Sequence, residues 1–498
     1  MRPIRDTDAH HDETAPPGAS PDPSDRRIAS AFLDALAYAR ERDYTGWDLY
    51  DGESSRILRA LPVDNRWLNL AFQQVVRRAP INLRPLLLVE QRRSFLGASL
   101  FSLADFAAAD LFEVGASGFQ GRAGRGDTGP TGARGYRAEG RALAEWLIDN
   151  RSVGYSGFCG GHKHPLQGLR SRAMPNTPGV VGTAYAVRAL LAAEARTACD
   201  VSSGSDADFG SGSDADFDND VDVTSRNDPD IASGSDPDVA SGNDPDVACR
   251  NDSDADSSDD PDVDFGAAAL SAADFVLEDL SYTEHLVGAH VTYTPADRGD
   301  SRTLNANALA AKLLLDLHAA SGDPRLRRRG EAILDYVVSR QTEAGGWMYR
   351  DPPSASHLSM DSFHNGFIVE SLLRHHEVTG SDRYAAAIDD GLSFYWTLFE
   401  GDGAPRRDES SAYPRDVHDA AQGIIVFSRV GEHALARRIA GWTLEHLYAG
   451  DGRFCHQKRR LYTDRTTLMR WCQAWMAYAL GVFLRTRHDA VEESLGIL

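Results

Sequence analysis

Residues Gln341 to Glu370 read QTEAGGWMYRDPPSASHLSMDSFHNGFIVE. A helix-like run from Arg328 to Arg340 leads into this stretch, and a second, Phe363 to His376, leads out of it. Between the two lie a Gly-Gly-Trp turn and a polar loop. Gly-Gly ends the first helix, and the polar loop carries the chain to the start of the second. Asp361 and His364 are three residues apart, so both face one side of the second helix's first turn. The same plan of outer helix, glycine–aromatic turn, polar loop and inner helix recurs about six times along the chain, which marks a repeat architecture.

Outward from that hairpin, helix patterns fall at Arg325 to Arg340 and Phe363 to Thr379, then Arg383 to Phe399 and Val417 to Val430, then His433 to Tyr448 and Leu468 to Thr486. Upstream they fall at Ala267 to Leu280 and Thr303 to Ala320, Arg141 to Asn150 and Val180 to Arg196, and Ile28 to Arg42 with Arg66 to Arg78 and Leu86 to Phe112. Gly115 to Gly140, rich in Gly and Arg, reads as a loop. Successive antiparallel pairs, with long loops at one end and short Gly-Asp-Pro or Gly-Ser-Asp turns at the other, predict an all-α fold, an (α/α)6 toroid. The toroid occupies 27–196 and 266–487. Residues 1–26 read as a disordered tail, 488–498 as a C-terminal tail, and 197–265 as a long disordered acidic insertion. The inner helices start where the long loops cluster, so their first turns line a funnel, and their N-termini add partial positive charge.

The formal net charge of −22 is misleading. Residues 197–265 hold 21 Asp, no Glu and two Arg, a net of −19, leaving about −3 for the remainder. Such a segment has too few large apolar side chains to offset its ordering entropy. The chain has three lysines (Lys163, Lys312, Lys458) and 49 arginines. This bias, with the Asp-rich segment, suggests a halophilic source, and a GC-rich genome alone gives the same arginine excess. The five cysteines show no paired framework, which fits a reducing compartment. Residues 1–26 lack the apolar core of a secretory signal, and no uninterrupted apolar run reaches bilayer length. The expectation is a cytoplasmic protein with no membrane span. No P-loop, no dinucleotide fingerprint and no basic patch is visible, so neither a nucleotide cofactor nor a nucleic-acid partner is expected.

Gly330 to Trp347, GEAILDYVVSRQTEAGGW, resembles the QW repeat of terpene cyclases, a structural turn shared by several toroids. The pieces DYTGWDLYDG, INLRPLL, NTPGVVGTAYAVRALL, TLNANALAAKLLLDLH and MDSFHNGFIVESLLRHHEVTGSDRY resemble the VpsJ-like proteins, a toroid family associated with polysaccharide biosynthesis. That family is similar to six-hairpin glycosidases and to the toroid domain of glucuronyl C5-epimerases. The likeness runs over most of 27–487 outside the insertion. It departs before the second inner helix, where the family's Trp-Gln segment is replaced by Leu166-Gln167 in a Gly/His-rich piece. The resemblance implies a carbohydrate-active protein working on a glycan or polysaccharide intermediate, glycoside hydrolase-like or epimerase-like. The alternative is a non-catalytic glycan-binding or scaffold protein of such a pathway.

Two constellations fit that chemistry. Asp361, His364 and Asn365 open the fourth inner helix, and Arg415, Asp416, His418 and Asp419 open the fifth. Glycoside hydrolysis needs a carboxyl acid and a carboxylate, and Asp361 and Asp416 are the expected pair, with His364 and His418 beside them. The same residues also fit plain helix capping, since Asp at a helix start accepts from the first-turn amides. Asn305 and Asn307 open the third inner helix, and one of them fits a cap. Asn305, Asn365, Arg415 and Asp419 are further candidates for substrate contact. Tyr293, Tyr349, Tyr413 and Trp471 are candidate platforms for sugar rings, while Trp347 reads as a wedge of its turn. Cys455-His456 and Trp471-Cys472 stand in the reverse order to the zinc ligands of lanthionine cyclases, and no metal is expected.

Overall fold

The computed structural model describes residues 23–62, 64–116, 119, 132–168, 172–204, 263–297 and 302–494. Its helices are α1 (Pro23–Arg40), α2 (Arg56–Ala60), α3 (Arg66–Arg78), α4 (Phe95–Glu113), α5 (Gly132–Asp149), α6 (Val180–Gly204) and α7 (Phe265–Asp274). They continue with α8 (Leu304–Ser321), α9 (Pro324–Val338), α10 (Ser362–Thr379), α11 (Ala385–Trp396), α12 (Val417–Arg429), α13 (His433–His446) and α14 (Trp475–Ser494). Contacts gather the described residues up to Thr197 and those from Asp264 onward into one unit.

Within it the helices divide by how much of their surface is wet. In α8 every residue from Leu304 to Leu317 is buried, whereas α9 buries only Leu326, Gly330, Ile333, Leu334, Tyr336 and Val337, a single stripe at helical spacing. The first is an inner helix and the second an outer one. The inner helices form a ring: α4 packs on α14, α14 on α12, α12 on α10 and α10 on α8. Helix α6 holds the remaining place, bonded to α4 through Arg196 and Asp110 at 2.6 Å, to α8 through Arg188 and Asp316 at 3.7 Å, and to α10 through Arg188 and Glu370 at 3.3 Å. Outside them, α5 packs on α4, α7 on α8, α9 on α8, α11 on α10, α13 on α12 and α1 on α14. This is the (α/α)6 toroid, with its inner helices α4, α6, α8, α10, α12 and α14.

The glycine–aromatic turns close the ring. A Cβ on Gly157, Gly288, Gly345, Gly403 or Gly452 would collide with backbone of Ser271, Ala332, Asp390, Arg438 or Asp34. Each turn therefore docks bare backbone on the next outer helix, and the last one docks on α1. At Gly345 the chain also takes φ +90°, a conformation reserved for glycine. There Trp347 is the wedge, its indole Nε1–H donating to Val337 O at 3.0 Å.

Several expectations shift. Helix α1 begins at Pro23, inside the expected tail, because Asp25 pairs with Arg437 at 2.8 Å. Helix α5 starts at Gly132, within the expected loop, and Gly140 there leaves room for the Phe106 ring of α4. Helix α4 starts at Phe95 rather than Leu86: Ser94 caps it, and Leu86 is exposed. Helix α6 runs on to Gly204 and α14 to Ser494, past both expected ends. The rest of the expected N-terminal tail, residues 205–262 of the expected insertion and residues 495–498 lie outside the described residues. Among the described residues only α4 is long and apolar enough to cross a membrane, and 83% of that window is buried in the toroid.

Candidate functional site

The N-terminal ends of all six inner helices meet at one cavity of about 930 Å³. Its wall takes Phe95 and Leu96 from the start of α4, Gly182 from α6, Asn305 from α8, His364 from α10, His418 from α12 and Trp475 from α14. The long loops supply the rim. Of the residues singled out in the sequence, Asn305, Tyr293, Tyr349, His364, Asp416, His418 and Trp471 line this cavity. Asp361, Asn365, Tyr413, Arg415 and Asp419 do not.

Asp361 stands directly behind His364. One carboxylate oxygen accepts the His364 backbone N–H at 2.9 Å, which caps α10. The other accepts Nδ1–H of the same residue at 2.6 Å. Nδ1 is thus committed, and Nε2 is the ring nitrogen left for a ligand. Tyr349 and Phe363 pack against this imidazole, with centroids 4.5 and 3.8 Å away.

His418 sits in an aromatic box. Phe363 stacks on it at 4.6 Å, Trp475 stacks at 4.5 Å and Trp471 meets it edge-on at 4.5 Å. Neither ring nitrogen has a hydrogen-bond partner within the chain. Burial pushes the imidazole well below its usual range, so the ring is neutral at pH 7. The Phe363 ring thus touches both cavity imidazoles.

Asp416 caps α12 and accepts the His418 N–H at 2.9 Å. Trp471 Nε1–H donates to the same oxygen at 2.8 Å. Its other oxygen faces His456 Nε2 at 3.3 Å, and His456 Nδ1 reaches Asp464 at 3.1 Å. A small three-stranded sheet holds this row together, pairing Arg415–Asp416 with Gln457–Lys458 and the latter with Thr463–Asp464. Burial opposes charge on His456, but the two carboxylates outweigh it and lift the imidazole to about 9. Burial likewise opposes the charge on Asp416, and His456 outweighs it, so the carboxyl stays below its usual range.

Of the other candidates, Asn365 and Arg415 have structural partners, and the Asp419 carboxyl has no hydrogen-bond partner among the described residues. Asn365 clamps the Gly-Gly-Trp turn: Trp347 N–H donates to its Oδ1 at 2.7 Å, and its Nδ2 donates to Trp347 O at 3.1 Å. Asn307 clamps Val291 in the same way, and Gln473 clamps Phe454 and Gly452. The clamp is a device of the repeat. Arg415 pairs with Glu400 at 2.8 Å and lies over Tyr413. Asp419 is wholly buried, and burial followed by the Asp416 charge pushes its carboxyl well above the usual range.

Sequence reasoning passed over His456 as an acid–base group, and also Arg470 and Glu370. Arg470 forks onto Asp48 at 2.6 and 2.5 Å on the cavity wall. Below the floor Glu370 meets Lys312, Arg188 and Arg429. A signal existed: Lys312 and Glu370 each stand inside an otherwise apolar run, AKLLL and FIVES, which calls for a buried partner.

No family model matches the chain, and no curated protein does. Solved structures do match. The fold is shared with an unsaturated glucuronyl hydrolase specific for heparin. That enzyme aligns over 94% of this chain and 97% of its own at 8% identity, with a TM-score of 0.50. A cellobiose 2-epimerase from Bacillus thermoamylovorans aligns over 79% of this chain and 88% of its own, at 11% identity and TM-score 0.49. A GH76 α-mannanase from Bacteroides thetaiotaomicron aligns over 80% and 87%, at 10% identity and TM-score 0.46. The structural neighbours are toroid enzymes of the six-hairpin glycosidase type.

Proposed function

We propose that this protein is a sugar-processing enzyme that moves protons with two imidazoles, His364 and His418, in the manner of an epimerase. One observation carries the reading. His364 Nε2 has no partner among the described residues and both ring nitrogens of His418 are buried at the cavity wall without one, polar atoms that call for a ligand, while Asp361, one of the two carboxylates expected as acid and base, is spent on His364. Neutral His418 takes a proton from a sugar carbon activated by a neighbouring carbonyl, and His364 Nε2 gives one back from another side. Asp361 fixes the His364 tautomer and the orientation of its ring. Tyr349 and Trp471 flank the sugar. The resemblance to VpsJ-like proteins adds polysaccharide biosynthesis as the setting.

Hydrolysis has one observation in its favour: ionised Asp416 and protonated His456 are neighbours on the same wall. The oxygens of Asp416 already serve three donors, which leaves it a weak nucleophile. Incubation with saccharide pools in D2O separates the readings. Proton transfer puts deuterium on a sugar carbon without new reducing ends, and hydrolysis does the reverse. His364→Gln and His418→Asn should each lower the deuterium exchange by about 10²-fold or more. Undiminished exchange in the folded double variant would sink the assignment, and a glycan that binds without exchange or cleavage would leave a binding protein.

A further inference from the structure

The cavity wall is strongly basic in a chain that is acidic overall. Six arginines line it, Arg77, Arg78, Arg350, Arg407, Arg459 and Arg470, against two carboxylates, Asp297 and Asp416. Arg470 is matched by Asp48, and Asp416 by His456. Asp297 is exposed. Among the described residues Arg407 makes no ion pair, although it lies near the α10 and α12 caps and feels Asp419, Asp416 and Asp361 at longer range. Arg77 lies 4.8 Å from the Tyr50 ring and Arg350 lies 5.5 Å from the Tyr349 ring, and both tyrosines are also on the wall. A guanidinium beside an aromatic face provides both an anion fork and a sugar platform.

A neutral saccharide is recognised by aromatic faces, amides and hydroxyls, and arginine forks give it no advantage. A concave wall of one sign instead concentrates anions of the opposite sign. The planar guanidinium matches the two oxygens of a carboxylate or sulfate. We infer that the saccharide taken by this cavity is anionic, bearing a carboxylate or a sulfate that Arg407 grips near the floor while Arg77 meets it at the mouth. This deepens the proposed function and rests on it.

A glycan array carrying neutral, uronate-bearing and sulfated oligosaccharides tests the inference with the full-length protein. The expected result is binding to acidic glycans only, and the class retained tells carboxylate from sulfate. Titration calorimetry on the best acidic glycan should show affinity falling with salt, and about tenfold or greater weakening in Arg407→Gln. Arg77→Gln, at a half-exposed position, provides a second variant that does not depend on the packing around Arg407; both should keep the wild-type helical spectrum. Binding confined to neutral glycans overturns the inference and leaves the proposed function standing. Acidic binding unchanged in both variants also overturns it. Binding of no saccharide removes both.

Discussion

At the scale of single residues the site is governed by what each carboxylate already holds. Asp361 and Asp416 are both helix caps, yet one orients an imidazole and the other neutralises one. The difference is a second partner that lies far off in the chain for Asp416 and three residues away for Asp361. His456 makes this measurable. Its folded pKa, about 9, is above the unfolded value. Its stabilising contribution is therefore complete below about pH 6.5 and fades as pH rises through 9. Asp416, shifted down, loses its share only in acid, below about pH 4. The stability difference between wild type and His456→Gln should shrink by about 3 kcal/mol from pH 6.5 to 9. Urea unfolding at several pH values measures it, and a pH-independent difference would mean that His456 is not held charged.

At the scale of elements, the hairpin is organised by its turn. Gly345 is needed twice, for its φ of +90° and because a Cβ would sit 2.4 Å from Asp390 O of α11. Gly380, which ends α10 at φ +64°, has open space around it. Gly380→Ala should cost about 1–2 kcal/mol, the left-handed penalty alone. Gly345→Ala should cost about 1–3 kcal/mol more, since backbone of α11 must move as well. Chemical denaturation of the two variants side by side decides it. Equal losses would show that the turn is not wedged against its neighbour. The clamp formed by Asn365 explains why a polar residue recurs one turn into an inner helix, independently of any ligand.

At the scale of the molecule, the ring is pinned at its centre by charge. Glu370 of α10 meets Arg188 of α6, Lys312 of α8 and Arg429 of α12. Burial opposes the charge on Glu370, but the three cations hold its carboxyl well below the usual range. Burial and the neighbouring Arg188 push Lys312 down to about 7, so it is the first of these cations to lose its proton. Glu370→Gln removes the anion shared by Arg188 and Arg429 and drives Lys312, already down to about 7, to give up its proton, and should cost about 3–5 kcal/mol. Adding Lys312→Met to that variant should restore part of the loss, because the buried amine that has lost its partner goes with it. A Glu370→Gln protein that unfolds at the wild-type denaturant concentration would show that the network is not what holds these helices in register.

The sequence by itself determined most of the helices, their alternation and the end at which the cavity lies. Those follow from short-range causes: apolar spacing along one helix, glycine at turns such as Gly345, proline and aspartate in the Gly322-Asp323-Pro324 restart. It also brought forward His364, His418 and Asp416, because polar residues at inner-helix starts can point into the funnel, back into their own caps or onto the preceding turn. Which of these each side chain does was decided by tertiary structure. Asn365 turned to Trp347, 18 residues away, and Asp416 met His456 across a sheet of two-residue strands too short to show an alternating pattern. Helix α5 formed in a Gly/Arg-rich stretch because Phe106 of another helix fills the notch at Gly140. The basic wall, too, is collected from loops far apart in the chain, and a linear charge count dominated by residues 197–265 conceals it. Local periodicity specifies elements, whereas the partners that tune a buried charge are set by the distances between elements, and these exist only once the ring has closed.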